Sequence, residues 1–311
     1  MDKTNIEIYD LIIVGGGPAG LSSSIYASRY RIKHLVLSEQ LGGTIIWAHK
    51  VENYPGVSGL SGLDLAQKFI DHAKSLGMNL ITSQVNEIKK DDKGIFVLST
   101  VEGKTYRSKA VILAMGTKRR ELKVPGEKKF IGRGVSYCTT CDAAFFKDKT
   151  VAVVGGANAA CSGASHVASF AKKVYLLYRK NALKAEPSWI KEIEAKKNIE
   201  ILYEINIKEI IGTGRVEKII LDKSHNGSNE LFVDGVFIEI GGVPISKLAT
   251  DLGVLIDKDG YIETKRDMST NIPGLFCAGD LNSFWKDFQQ VITAGASGAV
   301  ASYSVYQFLK K

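Results

Sequence analysis

The chain has 311 residues, 45% hydrophobic and 24% charged, with a formal net charge of +8. That length accommodates two domains with separate cores, and the composition is that of a globular enzyme, not of a disordered or fibrous chain. No apolar run reaches membrane-spanning length, no secretory leader pattern opens the chain, and the Lys and Arg residues are scattered; a membrane, secretion and nucleic acid are therefore excluded as expectations, and the cytoplasm is the expected location.

The first segment, "YDLIIVGGGPAGLSSSIYASRYRIKHLVLSE" (9–39), reads as strand, glycine turn, helix and strand. Its first strand is β-branched and continuous, as expected of a strand buried on both faces. Gly15-Gly16-Gly17-Pro18-Ala19-Gly20 fits the dinucleotide fingerprint. Gly15 permits the tight turn, Gly17 lets a pyrophosphate approach the backbone, and Gly20 lets the helix pack on the sheet. Glu39 follows Gly20 by nineteen residues, where an acid accepts hydrogen bonds from ribose hydroxyls. "GIFVLSTVEGKTYRSKAVILAMG" (94–116) then reads as a hairpin and a buried strand.

Next comes "CTTCD" (138–142). The chain has four cysteines, and only Cys138 and Cys141 are close in sequence, so neither a disulfide framework nor a two-knuckle zinc site fits and no metal is expected. A single C-x-x-C in an α/β chain points to thiol–disulfide chemistry, in which a thiolate attacks a disulfide and the second cysteine resolves the mixed disulfide. Asp142 could move a proton to or from the leaving thiolate; its alternative reading is a turn or helix cap. Cys161 and Cys277 lie in apolar surroundings and read as small buried hydrophobes.

"TVAVVGGANAACSGASHVASFAKKVYLLYR" (150–179) repeats the first segment without a gap at an offset of 140. Gly155 corresponds to Gly15, Ala157 to Gly17, Ala160 to Gly20 and Arg179 to Glu39. "EKIILDKSHNGSNELFVDGVFIEIGG" (217–242) repeats the hairpin and strand, and "QQVITAGASGAVASYSVYQFLKK" (289–311) closes the chain with a helical pattern and no fingerprint of its own. The expected fold is α/β, with two Rossmann-like three-layer dinucleotide-binding domains, the second inserted into the first. The first would comprise residues 1–117 and 246–311, and the second residues 118–245, carrying the C-x-x-C.

These residues resemble the low-molecular-weight thioredoxin reductases, a family of flavoprotein disulfide reductases. The resemblance runs through "GGGPAG" (15–20), "GGT" (42–44), "VENYPG" (51–56), "ILAMGT" (112–117), "VPGE" (124–127), "SYCTTCD" (136–142), "DGVFIEIGGVP" (234–244), "IPGLFCAGD" (272–280) and "QQVITA" (289–294). It implies FAD along Gly15, Gly17, Pro18, Ala19, Gly20, Glu39, Gly42, Gly43 and Thr44, with Gly116 and Gly279 in the same site. Asn53 would lie near the flavin ring, Val85 near the adenine, Asp280 at the ribityl and phosphate part, and Gln290 and Val291 at the isoalloxazine. Cys141 would be the flavin-proximal thiol, Cys138 the thiol that attacks the partner, and Asp142 the acid. It also implies a homodimer whose two domains rotate between two half-reactions, with thioredoxin or a similar small redox protein as partner.

Three positions depart from the family pattern: Thr44 stands in place of Gln, Gln289 in place of Arg, and the second fingerprint reads Gly155-Gly156-Ala157-Asn158-Ala159-Ala160. The methyl of Ala157 points where glycine would admit NADPH pyrophosphate, at a cost of about 1–3 kcal/mol if the contact is overpacked. Arg179, Lys180 and Lys184 retain positive charge for a 2′-phosphate, although lysine offers a point charge where arginine offers a fork. Two donors therefore remain open, NADPH and another reductant such as ferredoxin or a deazaflavin. A non-catalytic flavin sensor is the reading from a different class, and the intact cysteine pair with Asp142 argues against it.

Overall fold

The computed structural model describes residues 7–311. The chain divides into two compact units, Met1–Ile46 with Val51–Lys118 and Val243–Lys311, and Trp47–Lys50 with Arg119–Gly242. The first unit begins with β1 (Ile8–Gly16), α1 (Pro18–Arg29) and β2 (His34–Leu41). After a 3-10 turn at Gly43–Trp47 come α2 (Gly62–Ser75), β3 (Leu80–Thr82), β4 (Val85–Lys90), β5 (Phe96–Thr100) and β6 (Thr105–Leu113). Ser61 caps α2 by accepting the Asp64 N–H at 3.1 Å, which satisfies one of the donors a helix start leaves open.

The short strand β7 (Thr117–Arg119) leads into the second unit. There follow β8 (Val135–Ser136), α3 (Thr139–Asp142), β9 (Thr150–Val154), α4 (Asn158–Ala168), β10 (Lys173–Tyr178), α5 (Pro187–Glu194) and β11 (Ile199–Tyr203). An antiparallel sheet β12 (Ile207–Ile211), β13 (Lys218–His225) and β14 (Ser228–Phe232) precedes β15 (Gly235–Ile238). The chain returns through β16 (Gly242–Pro244), which pairs with β7, to α6 (Lys247–Thr250), β17 (Leu275–Cys277) and the long α7 (Val291–Leu309).

Each unit is layered by the same logic. In the first, the order is β3-β2-β1-β6-β5-β4, with β17 also on β6; β1, β2, β3, β6 and β17 pair parallel, and β4 and β5 join antiparallel. Alternation along β1 sends Ile12 and Val14 to one face and Leu11 and Ile13 to the other. The Leu11 and Ile13 face packs with Ala19 and Ala27 of α1 and with Ala301 and Val305 of α7. The Ile12 and Val14 face packs with Ile88, Phe96 and Leu98 of the antiparallel strands. Both faces are dry, which is why this strand carries no polar alternation.

In the second unit the parallel sheet has the order β11-β10-β9-β15-β8. Val151 and Val153 of β9 face Ala160, Cys161 and Ala164 of α4, while Ala152 and Val154 face Ile210, Ile219 and Leu231 of the antiparallel sheet. Parallel sheet, helices on one face and a small antiparallel sheet on the other is the three-layer arrangement expected for both copies. Glu127, from the "VPGE" stretch, is structural: although almost fully buried it accepts the N–H groups of Leu122 and Lys123 (2.7 and 2.6 Å) and the Tyr137 hydroxyl (2.6 Å).

Candidate active site

In the first unit the fingerprint glycines sit where β1 hands over to α1. Gly15 has φ +113°, and a Cβ there would stand 2.3 Å from the Ala114 carbonyl oxygen on β6's continuation. Gly20 is packed more tightly still, with a virtual Cβ 1.9 Å from the Gly15 carbonyl oxygen. Gly17 is different. It is the N-cap of α1, and a Cβ there meets only the Gly43 Cα, at 3.7 Å. The protein itself does not require glycine at position 17; a ligand held against the open amides of the helix start would.

Pro18 opens α1, and Ala19 and Gly20 are buried in its first turn. Gly42 and Gly43 form the turn that faces Gly17, and Thr44 is exposed on the following 3-10 turn. Glu39 is exposed at the end of β2. The Ser83 N–H donates to the Ser38 carbonyl at 3.1 Å, which brings the chain into buried Val85 beside that same strand end. Gly116 lies two residues beyond the Ala114 contact of Gly15.

From the C-terminal part of the chain, Gly279 packs on Ala19, where its virtual Cβ would be 2.8 Å from the alanine Cβ. Its N–H donates to the Ser297 hydroxyl of α7 at 2.9 Å. Asp280 follows, and burial pushes its carboxyl up to about 6. A half-buried carboxylate beside a glycine turn fits a ligand that offers hydroxyl donors. Gln289 donates to the Asp280 carbonyl at 3.0 Å, so it fixes this turn, a role its sequence position alone did not reveal. Gln290 is the N-cap of α7 in a reciprocal capping box with Thr293, and its side chain accepts from Asn53 at 3.0 Å. Val291 begins the helix. Together these residues supply the amide cradle, carboxylate and amide side chains that an FAD requires.

In the second unit Cys138 and Cys141 are joined as a disulfide with Cα atoms 5.3 Å apart. Cys138 caps α3, its Sγ accepting the Cys141 N–H at 3.1 Å, and Asp142 ends the helix without a side-chain capping bond. The partly buried Thr140 donates to the Trp47 carbonyl at 2.7 Å, and buried Thr139 packs against Gly163 of α4. Phe145, three residues beyond Asp142, is 80% exposed. Nothing in the motif pattern marked it.

The second nucleotide turn reproduces the first in backbone. Gly155 has φ +142°, and Ala157 is the N-cap of α4 with ψ −175°, the value also held by Gly17. Ala160 lies beneath Gly155, and Tyr178 lies against Gly156, whose virtual Cβ would be 2.3 Å from the ring. Asn158 is engaged at both ends of its amide. It donates to the Glu186 carboxylate and accepts the Glu186 N–H, both at 2.8 Å. Ala159, Arg179, Lys180 and Lys184 are exposed, and the Lys184 N–H donates to the Gly156 carbonyl at 2.7 Å, which draws the basic segment to the turn. Cys161 and Cys277 are buried free thiols; burial pushes Cys161 up to about 11 and Cys277 upward as well, so neither supplies thiolate near neutrality.

Comparison with known proteins agrees with this geometry. The family model "Pyridine nucleotide-disulphide oxidoreductase" matches residues 9–298. A thioredoxin reductase of Listeria innocua is 35% identical over 308 residues, covering 98% of this chain and 95% of the relative. The thioredoxin reductase structure of Lactococcus lactis superposes with a TM-score of 0.92 at 32% identity, covering 97% of this chain and 99% of the other. That of T. acidophilum gives a TM-score of 0.91 at 33% identity, with the same coverage.

Proposed function

Because the chain belongs to the pyridine nucleotide-disulphide oxidoreductase family, we propose that it is a thioredoxin-disulfide reductase, moving electrons from NADPH through FAD and the Cys138–Cys141 pair to the disulfide of thioredoxin or a similar small protein. The observation that carries this reading is the Cys138–Cys141 bond, built at the start of α3, whose Thr139 packs against Gly163 of the helix that follows the second nucleotide turn. FAD, when bound, relays an electron pair between a nicotinamide and a disulfide.

The protein's own residues divide the remaining work. The α1 amides behind Gly15, Gly17, Pro18, Ala19 and Gly20 hold the FAD pyrophosphate, with Gly42, Gly43 and Thr44 closing the turn. Glu39 takes the ribose hydroxyls, Val85 and Gly116 border the adenine and flavin ends, and Gly279 with Asp280 takes the ribityl and phosphate part. Asn53, Gln290 and Val291 border the isoalloxazine. The turn from Gly155 to Ala160 receives the NADPH pyrophosphate, and Arg179, Lys180 and Lys184 attract its 2′-phosphate.

In the reduced pair, Cys141 faces the flavin and Cys138 attacks the partner disulfide; Asp142 protonates the thiolate that leaves. Phe145 supplies an exposed aromatic anchor beside the pair for the docking protein. The net charge of +8 would steer a small acidic partner. The working form is a homodimer in the cytoplasm.

Two measurements test the reading. NADPH should bleach the bound flavin rapidly; if it fails while reduced ferredoxin or a deazaflavin succeeds, the donor assignment is overturned. Cys138→Ser should retain flavin reduction by NADPH but abolish reduction of thioredoxin. If protein disulfide reduction persists in that variant, the role given to Cys138 is wrong.

A further inference from the structure

Residues 179–186, between β10 and α5, form no regular secondary structure, yet they carry Arg179, Lys180 and Lys184. A loop without a helix or strand to order it keeps one shape only where packing and hydrogen bonds offset its entropy. Leu183 and Ala185 turn inward, onto the core that holds Val151, Val153 and Ala160, and Lys184 between them is exposed. The Glu204 N–H donates to the Lys180 carbonyl at 3.1 Å, and the Lys184 N–H donates to the Gly156 carbonyl at 2.7 Å. The loop ends in a clasp. Asn158, the first residue of α4, accepts the Glu186 N–H at its side-chain oxygen and donates from its side-chain nitrogen to the Glu186 carboxylate, both at 2.8 Å.

Glu186 is the N-cap of α5, where a side chain ordinarily accepts an N–H of its own helix, yet it makes no such bond. Its carboxylate is turned to a different helix. Asn158 engages both ends of its amide with this one loop residue, at the start of the helix whose open N–H groups receive the NADPH pyrophosphate. The clasp therefore joins the loop that carries the cations to the turn that carries the amides. A lysine on a loose loop is a solvated point charge; on a fixed loop its reach is set before the ligand arrives, and less ordering is left to oppose binding.

We propose that Asn158 and Glu186 are positioning residues for the 2′-phosphate of the dinucleotide: their clasp holds the loop of Arg179, Lys180 and Lys184 against the second nucleotide turn. They act through the loop, not on the ligand. The inference rests on the nucleotide role proposed for this turn, but its probe needs no electron transfer. Adenosine 2′,5′-bisphosphate carries the phosphorylated adenosine half of the dinucleotide without a nicotinamide. A wrong electron donor shows as NADPH that leaves the flavin oxidised, whereas a wrong clasp shows in the affinity for the bisphosphate.

The test is calorimetric titration of the FAD-loaded protein with adenosine 2′,5′-bisphosphate at pH 8. Asn158→Ala removes both bonds of the clasp without changing any charge, and should weaken binding by about tenfold, the loss of one charge-assisted contact. In Asn158→Asp the new carboxylate still accepts the Glu186 N–H but repels the Glu186 carboxylate, and binding should weaken at least as much. Adding Glu186→Gln to Asn158→Asp rebuilds the clasp with donor and acceptor exchanged, and should return the affinity to within about threefold of the unmodified protein. A contact between Asn158 and the ligand would not be restored by that exchange. No binding to the unmodified protein, unweakened binding to Asn158→Ala, or a double variant as weak as Asn158→Asp would overturn the proposal. Hydrogen exchange on the unmodified protein covers the case in which the variants fail to fold. The Lys184 and Glu186 N–H groups should be protected, and exchange of both at the rate of a free loop would also overturn the proposal.

Discussion

Gly17→Ala and Gly20→Ala separate ligand contact from packing at the first nucleotide turn. A methyl at position 20 would stand 1.9 Å from the Gly15 carbonyl oxygen, which is backbone and cannot rotate away. The start of α1 would have to move off β1, at a cost of about 1–3 kcal/mol or more. A methyl at position 17 meets only the Gly43 Cα, at 3.7 Å, and the backbone there is already extended at φ −78°. Ala157 holds the corresponding N-cap at φ −107° and ψ −175°, so the protein already accommodates alanine in this geometry. The Gly17→Ala apoprotein should therefore lose less than about 1 kcal/mol. Its FAD affinity should fall by about 5- to 150-fold, the equivalent of about 1–3 kcal/mol for a methyl pressed into the pyrophosphate. Thermal melts of the two apoproteins and FAD titration by fluorescence quenching measure both quantities. Equal destabilisation of the two variants, or unaltered FAD affinity in Gly17→Ala, would refute the reasoning.

The reverse change in the second unit, Ala157→Gly, should tighten NADPH by a similar factor, seen as a lower NADPH concentration for half-maximal flavin reduction. Phe145→Ala should raise KM for thioredoxin about tenfold, as expected when an exposed aromatic anchor is truncated. Glu239, which follows β15, makes a stability prediction through burial of its side chain, only 9% exposed. Its folded value of about 7 lies above the usual 4.5, so the folded state holds this proton more tightly than the unfolded one. Its contribution is present in full below pH 4.5 and is lost as pH rises through 7; 2.5 pH units correspond to about 3 kcal/mol as an upper limit. Urea denaturation at pH 5 and pH 8, with saturating FAD, should show this loss in the wild-type protein and not in Glu239→Gln.

The duplicated architecture was legible because it depends on local patterns. Continuous apolar strands, a glycine turn and a helix recur at one offset, and the structure repeats them down to the extended N-caps at Gly17 and Ala157. The cysteine pair was legible for the same reason, since its spacing is local and its bond closes within one short helix. What the sequence hid depends on contacts between distant positions. Glu239 meets Arg119 across 120 residues, and "GVFIEIGG" gives no sign that its acid turns inward. Segment Trp47–Lys50 belongs to the second unit although the residues on either side belong to the first. Asn158 stands in the altered fingerprint with no sign of a partner, whereas the structure occupies its amide with Glu186, set by the loop before α5. Phe145 escaped because exposure of a single aromatic is decided by how the short turn after α3 emerges.

The most direct test of the central claim is an anaerobic, FAD-loaded assay with NADPH and oxidised thioredoxin, counting nicotinamide oxidised against thioredoxin thiols formed. The account predicts two thiols per NADPH consumed, with no thiols formed by Cys138→Ser. NADPH oxidation without thiols, or thiol formation that survives the loss of Cys138, would contradict it.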